Sequence, residues 1–216
     1  MLHYTTVNEL LKACLLKLMR ADAFGPFRLV GGTALSLQLG HRQSIDIDLF
    51  SDVEYGSIDF SALEDFLQTA FAYTDRFSDT HHGLGKSYVI GTEKHSTINL
   101  DVYYTDAFIE SPVVAEGIRL ASVAEIAAMK MDVVQRGGRK KDFWDIHELL
   151  DRYSIAEMID LHLKRYEYAH DKELIFKNLT DFSQADDDFE PICLRGKYWE
   201  FIKEDIIEAV NRELRN

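Results

Sequence analysis

The stretch LVGGTALSLQLGHRQSIDIDLFSD, Leu29 to Asp52, sets two glycines and a threonine ahead of a helix-like run. It then places two aspartates at i and i+2 inside an apolar strand. Neither feature serves a core. In SIDIDLF the alternation is strict: Ile45, Ile47 and Leu49 define one face, Asp46 and Asp48 the other. Side chains at i and i+2 of a strand point the same way, roughly 6–7 Å apart. Two bare carboxylates so placed repel each other, and a cation would neutralise them. A half-exposed edge strand kept soluble by acidic residues is the alternative reading of a lone D-x-D pair.

A third carboxylate strengthens the first reading. In STINLDVYY, Ile98, Leu100 and Val102 alternate with Asn99, Asp101 and Tyr103. Asp101 therefore faces away from the apolar side of its own strand, which is expected in the same sheet. Three strand carboxylates can hold two metals that clamp the attacking and leaving oxygens of a phosphoryl displacement. Asp101 would also be placed to take the proton of an attacking hydroxyl. Oxygen donors of this kind suit Mg²⁺, with Mn²⁺ as the substitute ion.

The glycine element fits the same chemistry. Gly31 and Gly32 let backbone approach a ligand closely, and Thr33 is placed to cap the following helix while facing an anion. GGT alone is also an ordinary strand–helix turn. The segment contains neither G-x-x-x-x-G-K-[ST] nor G-x-G-x-x-G, so it is neither a P-loop nor a dinucleotide fingerprint.

Around this stretch the chain reads as two parts. VNELLKACLLKLMRADAF has helical apolar spacing, FRLVGG is a short strand, and TALSLQLG is a short helix closing on Gly40. FSALEDFLQTAF is helical, SYVIG and STINLDVYYTD are strand-like, and GIRLAS is an expected edge strand. From Ser122 the pattern turns helical, with capping boxes expected at Ser122/Glu125 and Ser154/Glu157. NLTDFSQADDDFEPICLRGKYW is an acidic loop before a last helix near Tyr198 to Leu214. The expected fold is α/β (α+β): a small mixed-sheet core over residues 1–120, then a helical region over 121–216.

Composition narrows the function classes. With 46% hydrophobic residues the chain can fill a core, and its two cysteines, Cys14 and Cys193, are too few for a disulfide framework. No 18-residue apolar run or signal-type leader is present, so a soluble cytoplasmic protein without membrane attachment is expected. Thirty-seven acidic against 24 basic residues, a net charge of −13, argue against non-specific affinity for nucleic acid. RGGRKKDFW, Arg136 to Trp144, is the one candidate basic patch, and a solvated turn is the alternative there. His81 and His82 read as a surface pair, His147 as packing, and Trp144, Tyr198 and Trp199 as core.

The segment GGTALSLQLGHRQSIDIDLF resembles the signature of AbiEii/AbiGii-type toxin nucleotidyltransferases, within the polymerase β-like superfamily. Asp101 stands where that family has its third carboxylate. LASVAEIAAMKMDVVQRGGRKKDFWDIHELL resembles its later helical block. The resemblance spans roughly residues 25 to 150. It implies that Gly31, Gly32 and Thr33 cradle nucleotide phosphates and that Asp46, Asp48 and Asp101 hold Mg²⁺. It further implies nucleotide-binding roles for Arg42, Ser44, Lys130, Lys141, Asp142 and Asp145. Four of them have a plainer reading: a solvent-face lysine for Lys130, helix-start anions for Asp142 and Asp145, a loop-fixing hydroxyl for Ser44.

The activity so implied is transfer of a nucleoside monophosphate from an NTP to an acceptor hydroxyl, with RNA, such as a tRNA 3′ end, as acceptor. A cognate antitoxin is the implied protein partner. The alternatives are nucleotidylation of a protein and a non-catalytic nucleotide-binding or antitoxin-interacting module. The presence of all three carboxylates argues against the last.

Overall fold

The computed structural model describes residues 1–76 and 83–215; His81 and His82 lie outside them. Two compact units divide the chain. One comprises residues 1–40 and 44–121, the other residues 41–43 and 122–216. The short segment His41–Gln43 thus belongs to the helical unit although it interrupts the first.

Among the described residues the first unit is built on seven strands: β1 (Arg28–Leu29), β2 (Asp46–Ser51), β3 (Tyr73–Arg76), β4 (Gly85–Glu93), β5 (Ser96–Tyr104), β6 (Val113–Ala115) and β7 (Ile118–Leu120). Their order is β3-β4-β5-β2-β1-β7-β6. β2 runs parallel to β5, and β1 parallel to β7; the remaining neighbours are antiparallel. Period-2 alternation sorts the two faces. Ile47, Leu49, Leu100 and Val102 are fully buried, and Tyr88 and Ile90 join them from β4. Each such side chain contributes about 1.5–3 kcal/mol by leaving water. Helix α1 (Glu9–Arg20) covers this face with Leu11, Cys14, Leu15 and Leu18. Asn8 starts it by accepting from the Leu11 N–H. Asp59 does the same for α3 (Phe60–Ala70).

Helix α2 (Gly31–Leu39) begins directly after β1 and ends on Gly40, whose φ of 73° supplies the left-handed turn. The expected edge strand 118–120 is interior, because the unanticipated β6 pairs outside it. Ile45 departs from the expected apolar face: it precedes β2 and is 65% exposed.

The second unit packs α4 (Val123–Gln135) among α5 (Lys140–Leu149), α6 (Ile155–Arg165) and α7 (Lys172–Leu179), with α8 (Trp199–Leu214) against α5, α6 and α7. Ser154 and Glu157 form the expected capping box. Ser122 also caps its helix, but Glu125 turns inward and pairs with Arg165 at 2.6 Å, both fully buried. Trp144 and Trp199 are buried and stacked, whereas Tyr198 is exposed. No helix among the described residues is long and apolar enough to cross a membrane.

Candidate active site

In the first unit, parallel pairing of β2 with β5 aligns Asp46 with Asn99 and Asp48 with Asp101. Neighbouring strands lie about 4.8 Å apart, so Asp48 and Asp101 face the same side at that spacing. All three aspartates are half-buried, on the side opposite the Ile47 and Leu100 core. Like charges directly across a strand pair destabilise a sheet. At the next pair the charge is relieved: Asn99 Nδ2 donates to Asp46 Oδ1 at 3.0 Å. Asn99 is a site residue absent from the sequence motifs, although its position two residues before Asp101 puts it on the same face.

The glycine turn meets the carboxylates. Gly31 adopts φ 65°, and a Cβ there would stand 2.7 Å from Asp48 Oδ2. The Val30 N–H also donates to the Asp48 carbonyl at 2.9 Å. Glycine at 31 is therefore required twice, for conformation and for room. The N-terminal end of α2, with its unpaired N–H groups and positive dipole, begins at this point. Thr33 departs from the expected capping role, because the helix starts two residues earlier and Val30 is its N-cap. Thr33 is buried, and its hydroxyl donates to the Asp46 carbonyl and shares a 2.8 Å hydrogen bond with Ser44 Oγ. That pair ties the helix to the start of β2.

In the second unit, Arg42 forms a fork on Asp145, with Nε to Oδ1 at 2.6 Å and Nη2 to Oδ2 at 2.7 Å. His41 Nε2 lies 2.7 Å from Oδ1 of the same carboxylate. Lys130 Nζ sits between Asp142 (2.6 Å) and Asp145 (2.7 Å). Asp142 also accepts from the Arg139 N–H at 3.0 Å, closing the first turn of α5. Every charged side chain in this cluster from Arg42 to Asp145 is buried, Asp145 completely.

Burial would raise the Asp145 carboxyl, but Arg42 and Lys130 outweigh it and hold the group well below its usual range. Asp142 is likewise lowered, against its burial, chiefly by Lys130. The same two carboxylates overcome burial to raise Lys130. Lys130 thus leaves the solvent face that helix spacing allows it. Lys141, at the second position of α5, is half-buried.

The basic segment is less available than its composition suggests. Lys140 is 5% exposed; its Nζ donates to the Asp186 carbonyl at 3.2 Å and lies 5.5 Å from the centre of a Trp199 ring. Arg136 pairs with Asp132 on the preceding turn. His147 is buried, with Nε2 2.7 Å from Asp205 Oδ2.

The sequence profile of the AbiEii nucleotidyl transferase toxins of type IV toxin–antitoxin systems matches residues 14–213. The chain belongs to that family. An uncharacterised Aquifex aeolicus protein is 29% identical to this AbiEii chain over 201 residues, covering 88% of it and 89% of the relative. Among solved structures, an H. pylori protein described as a nucleotidyltransferase superposes with a TM-score of 0.61 at 20% identity, covering 94% and 90% of the two chains. MenT4, a nucleotidyltransferase toxin of Mycobacterium tuberculosis, gives 0.58 at 16% identity, covering 93% and 82%. At those identities the likeness is one of fold, and it bears out the expected mixed-sheet nucleotidyltransferase architecture. The family resemblance carried by residues 25 to 150 or so is likewise borne out.

Proposed function

We propose that this AbiEii-family toxin transfers a nucleoside monophosphate from an NTP to an acceptor hydroxyl and releases pyrophosphate, at a site formed by Asp46, Asp48 and Asp101. The observation that carries the reading is the Asp48–Asp101 register with Gly31 fitted against the Asp48 carboxylate. A sheet gains nothing from two facing carboxylates, and a glycine trimmed to admit one marks a place kept for charge.

The donor set fits a divalent cation. It is all hard oxygen, and Mg²⁺ uses one or two carboxylates plus waters and substrate phosphates. Among the described residues no three His, Cys, Asp or Glu side chains converge as they would around one ion. Asp46, Asp48 and Asp101 would supply carboxylate oxygens to such an ion, with waters and substrate phosphates completing its shell. Mg²⁺ or Mn²⁺ held there would neutralise the carboxylates and polarise phosphoryl oxygens. Gly31, Gly32 and the N-terminal end of α2 offer backbone N–H groups to phosphate. Asp101 accepts the proton of the attacking hydroxyl at a carboxylate oxygen. Thr33 and Ser44 fix the loop that delivers Asp46. Arg42, Lys130, Asp142 and Asp145 act as a positioning network, since Arg42 and Lys130 already spend their donors on carboxylates.

The acceptor in this reading is RNA, a 3′ end such as that of tRNA, and a cognate antitoxin is the partner. Incubation with radiolabelled NTPs, Mg²⁺ and either total RNA or total protein tests it. RNA should take the label in the wild type and not in Asp48→Asn. A protein acceptor is the second reading, favoured by the net charge of −13 and the burial of Lys140. Label confined to protein would establish it instead.

A further inference from the structure

Two residues beyond the facing aspartates, Phe50 and Tyr103 are the next aligned pair on the same side of β2 and β5. They stand about 6.6 Å further along the strands. Both are half-buried, on the side away from the Leu49 and Val102 core. Their ring centroids are 6.0 Å apart at 60°, so the rings do not stack on each other.

Tyr103 is held in place by the neighbouring strand. Its register partner on β4 is Gly85, and a Cβ at Gly85 would collide with the Tyr103 ring. Ser87 Oγ, two residues along on β4, lies 3.0 Å from the Tyr103 hydroxyl. The ring is thus laid across β4 over a residue with no side chain and pinned at its polar end. A fixed aromatic surface beside three carboxylates suits a flat, uncharged group.

Charge points the same way. Of the basic segment Lys140 is buried and Lys141 half-buried, which leaves Arg136 and Arg139 as its mostly exposed cations against a net charge of −13. A nucleic-acid acceptor approaching a chain of net charge −13 is better held through its bases. Every base has a π-face, and stacking is unaffected by the sign of the surrounding charge.

We propose that Phe50 and Tyr103 form a stacking platform for a nucleobase of a single-stranded RNA acceptor, placing its terminal hydroxyl toward Asp48 and Asp101. The proposal rests on the transferase reading above. It deepens that reading by naming what holds the acceptor.

The test measures binding of a fluorescein-labelled single-stranded RNA oligonucleotide to the full chain in an Asp48→Asn background, where no turnover occurs. Label transfer and the KM for NTP are measured in the otherwise wild-type chain. Phe50→Leu and Tyr103→Leu retain apolar volume and should weaken RNA binding about 5- to 150-fold each. Phe50→Trp should restore it, and none of the three should move the KM for NTP more than about twofold. RNA binding by Phe50→Leu and Tyr103→Leu at wild-type strength overturns the platform, as does an oligonucleotide that does not bind at all. If RNA is labelled equally well by both leucine variants, the platform fails and the transferase reading stands. If the oligonucleotide binds in a Phe50-dependent way but no acceptor is ever labelled, the transferase reading fails and the platform stands.

Discussion

Asp48 and Asp101 stand directly across from one another on neighbouring parallel strands, with Gly31 packed against the Asp48 carboxylate. Like-charged cross-strand pairs cost a sheet about 0.2–1 kcal/mol. Asp101→Asn should therefore unfold at a slightly higher temperature than wild type in the absence of divalent metal, while losing nucleotide transfer. Thermal melts and transfer assays on one preparation check both halves. Loss of stability together with activity would show that Asp101 is a structural residue.

Gly31→Ala separates space from chemistry. The left-handed φ of 65° costs a non-glycine residue about 1–2 kcal/mol, and the new methyl displaces the Asp48 carboxylate. The protein should remain folded but lose most of its transfer activity. Urea titration and initial rates decide; an unimpaired rate would mean that the Asp48 carboxylate need not hold its present place.

Asp145→Ala tests the buried network of the helical unit. It strands the Arg42 guanidinium and leaves Lys130 with Asp142 alone. Removing one partner of a buried ion pair typically costs about 3–5 kcal/mol. Both tryptophans, Trp144 and Trp199, lie in this unit, so their fluorescence during denaturation reports it. A shift in midpoint worth less than about 1 kcal/mol would mean that the network contributes little.

The same carboxylates set an acid limit. Asp145 and Asp142 have folded-state pKa values below the ordinary 3.8, so their stabilisation is fully present above about pH 3.8. It drains away as pH falls through the depressed values. Lys130 is raised above 10.5, so its contribution is present below that pH and is lost as pH rises through the folded value. Tryptophan fluorescence across an acid titration should show unfolding below pH 3.8, and Asp145→Asn should flatten that limb.

Arg139 and Lys140 should behave differently despite their adjacency. The Arg139 side chain is 65% exposed, and Arg139→Ala should change stability by less than about 0.5 kcal/mol. Lys140→Ala loses the Asp186 carbonyl bond and the Trp199 contact, at about 1–2 kcal/mol. Denaturant midpoints for the two single variants decide between this and a shared surface role.

These outcomes also mark what the amino-acid order makes legible. Strict alternation in SIDIDLF and STINLDVYY identified β2, β5 and the side of the sheet that carries Asp46, Asp48 and Asp101. Alternation says nothing about register, so the pairing of Asp48 with Asp101 rather than with Asn99 or Tyr103 emerged only in the sheet. The short strands β3 and β6 escape because YTDR and VVA do not alternate apolar with polar residues, whereas the equally short IRL of β7 does. The plainer, solvent-face reading of Lys130 fails for a different reason. Helix periodicity locates a polar residue on a face, but α4 is enclosed by α5, α6 and α7, and Asp142 and Asp145 meet its lysine inside. Thr33 lost its expected cap because Gly31 could begin the helix earlier, freeing the hydroxyl to bond Asp46 and Ser44.

Arg42 precedes Asp46 by four residues, but its carboxylate partner lies 103 residues further along the chain. At ribosomal speeds of about 5–20 residues per second, Arg42 waits roughly 5–20 s after its own synthesis before Asp145 is made. Throughout that interval Arg42 is without its carboxylate partner, while the Thr33 bonds to Ser44 and Asp46 need only residues already made. Closure of the Arg42–Asp145 fork is therefore a late event of synthesis, set by the helical unit to which both residues belong.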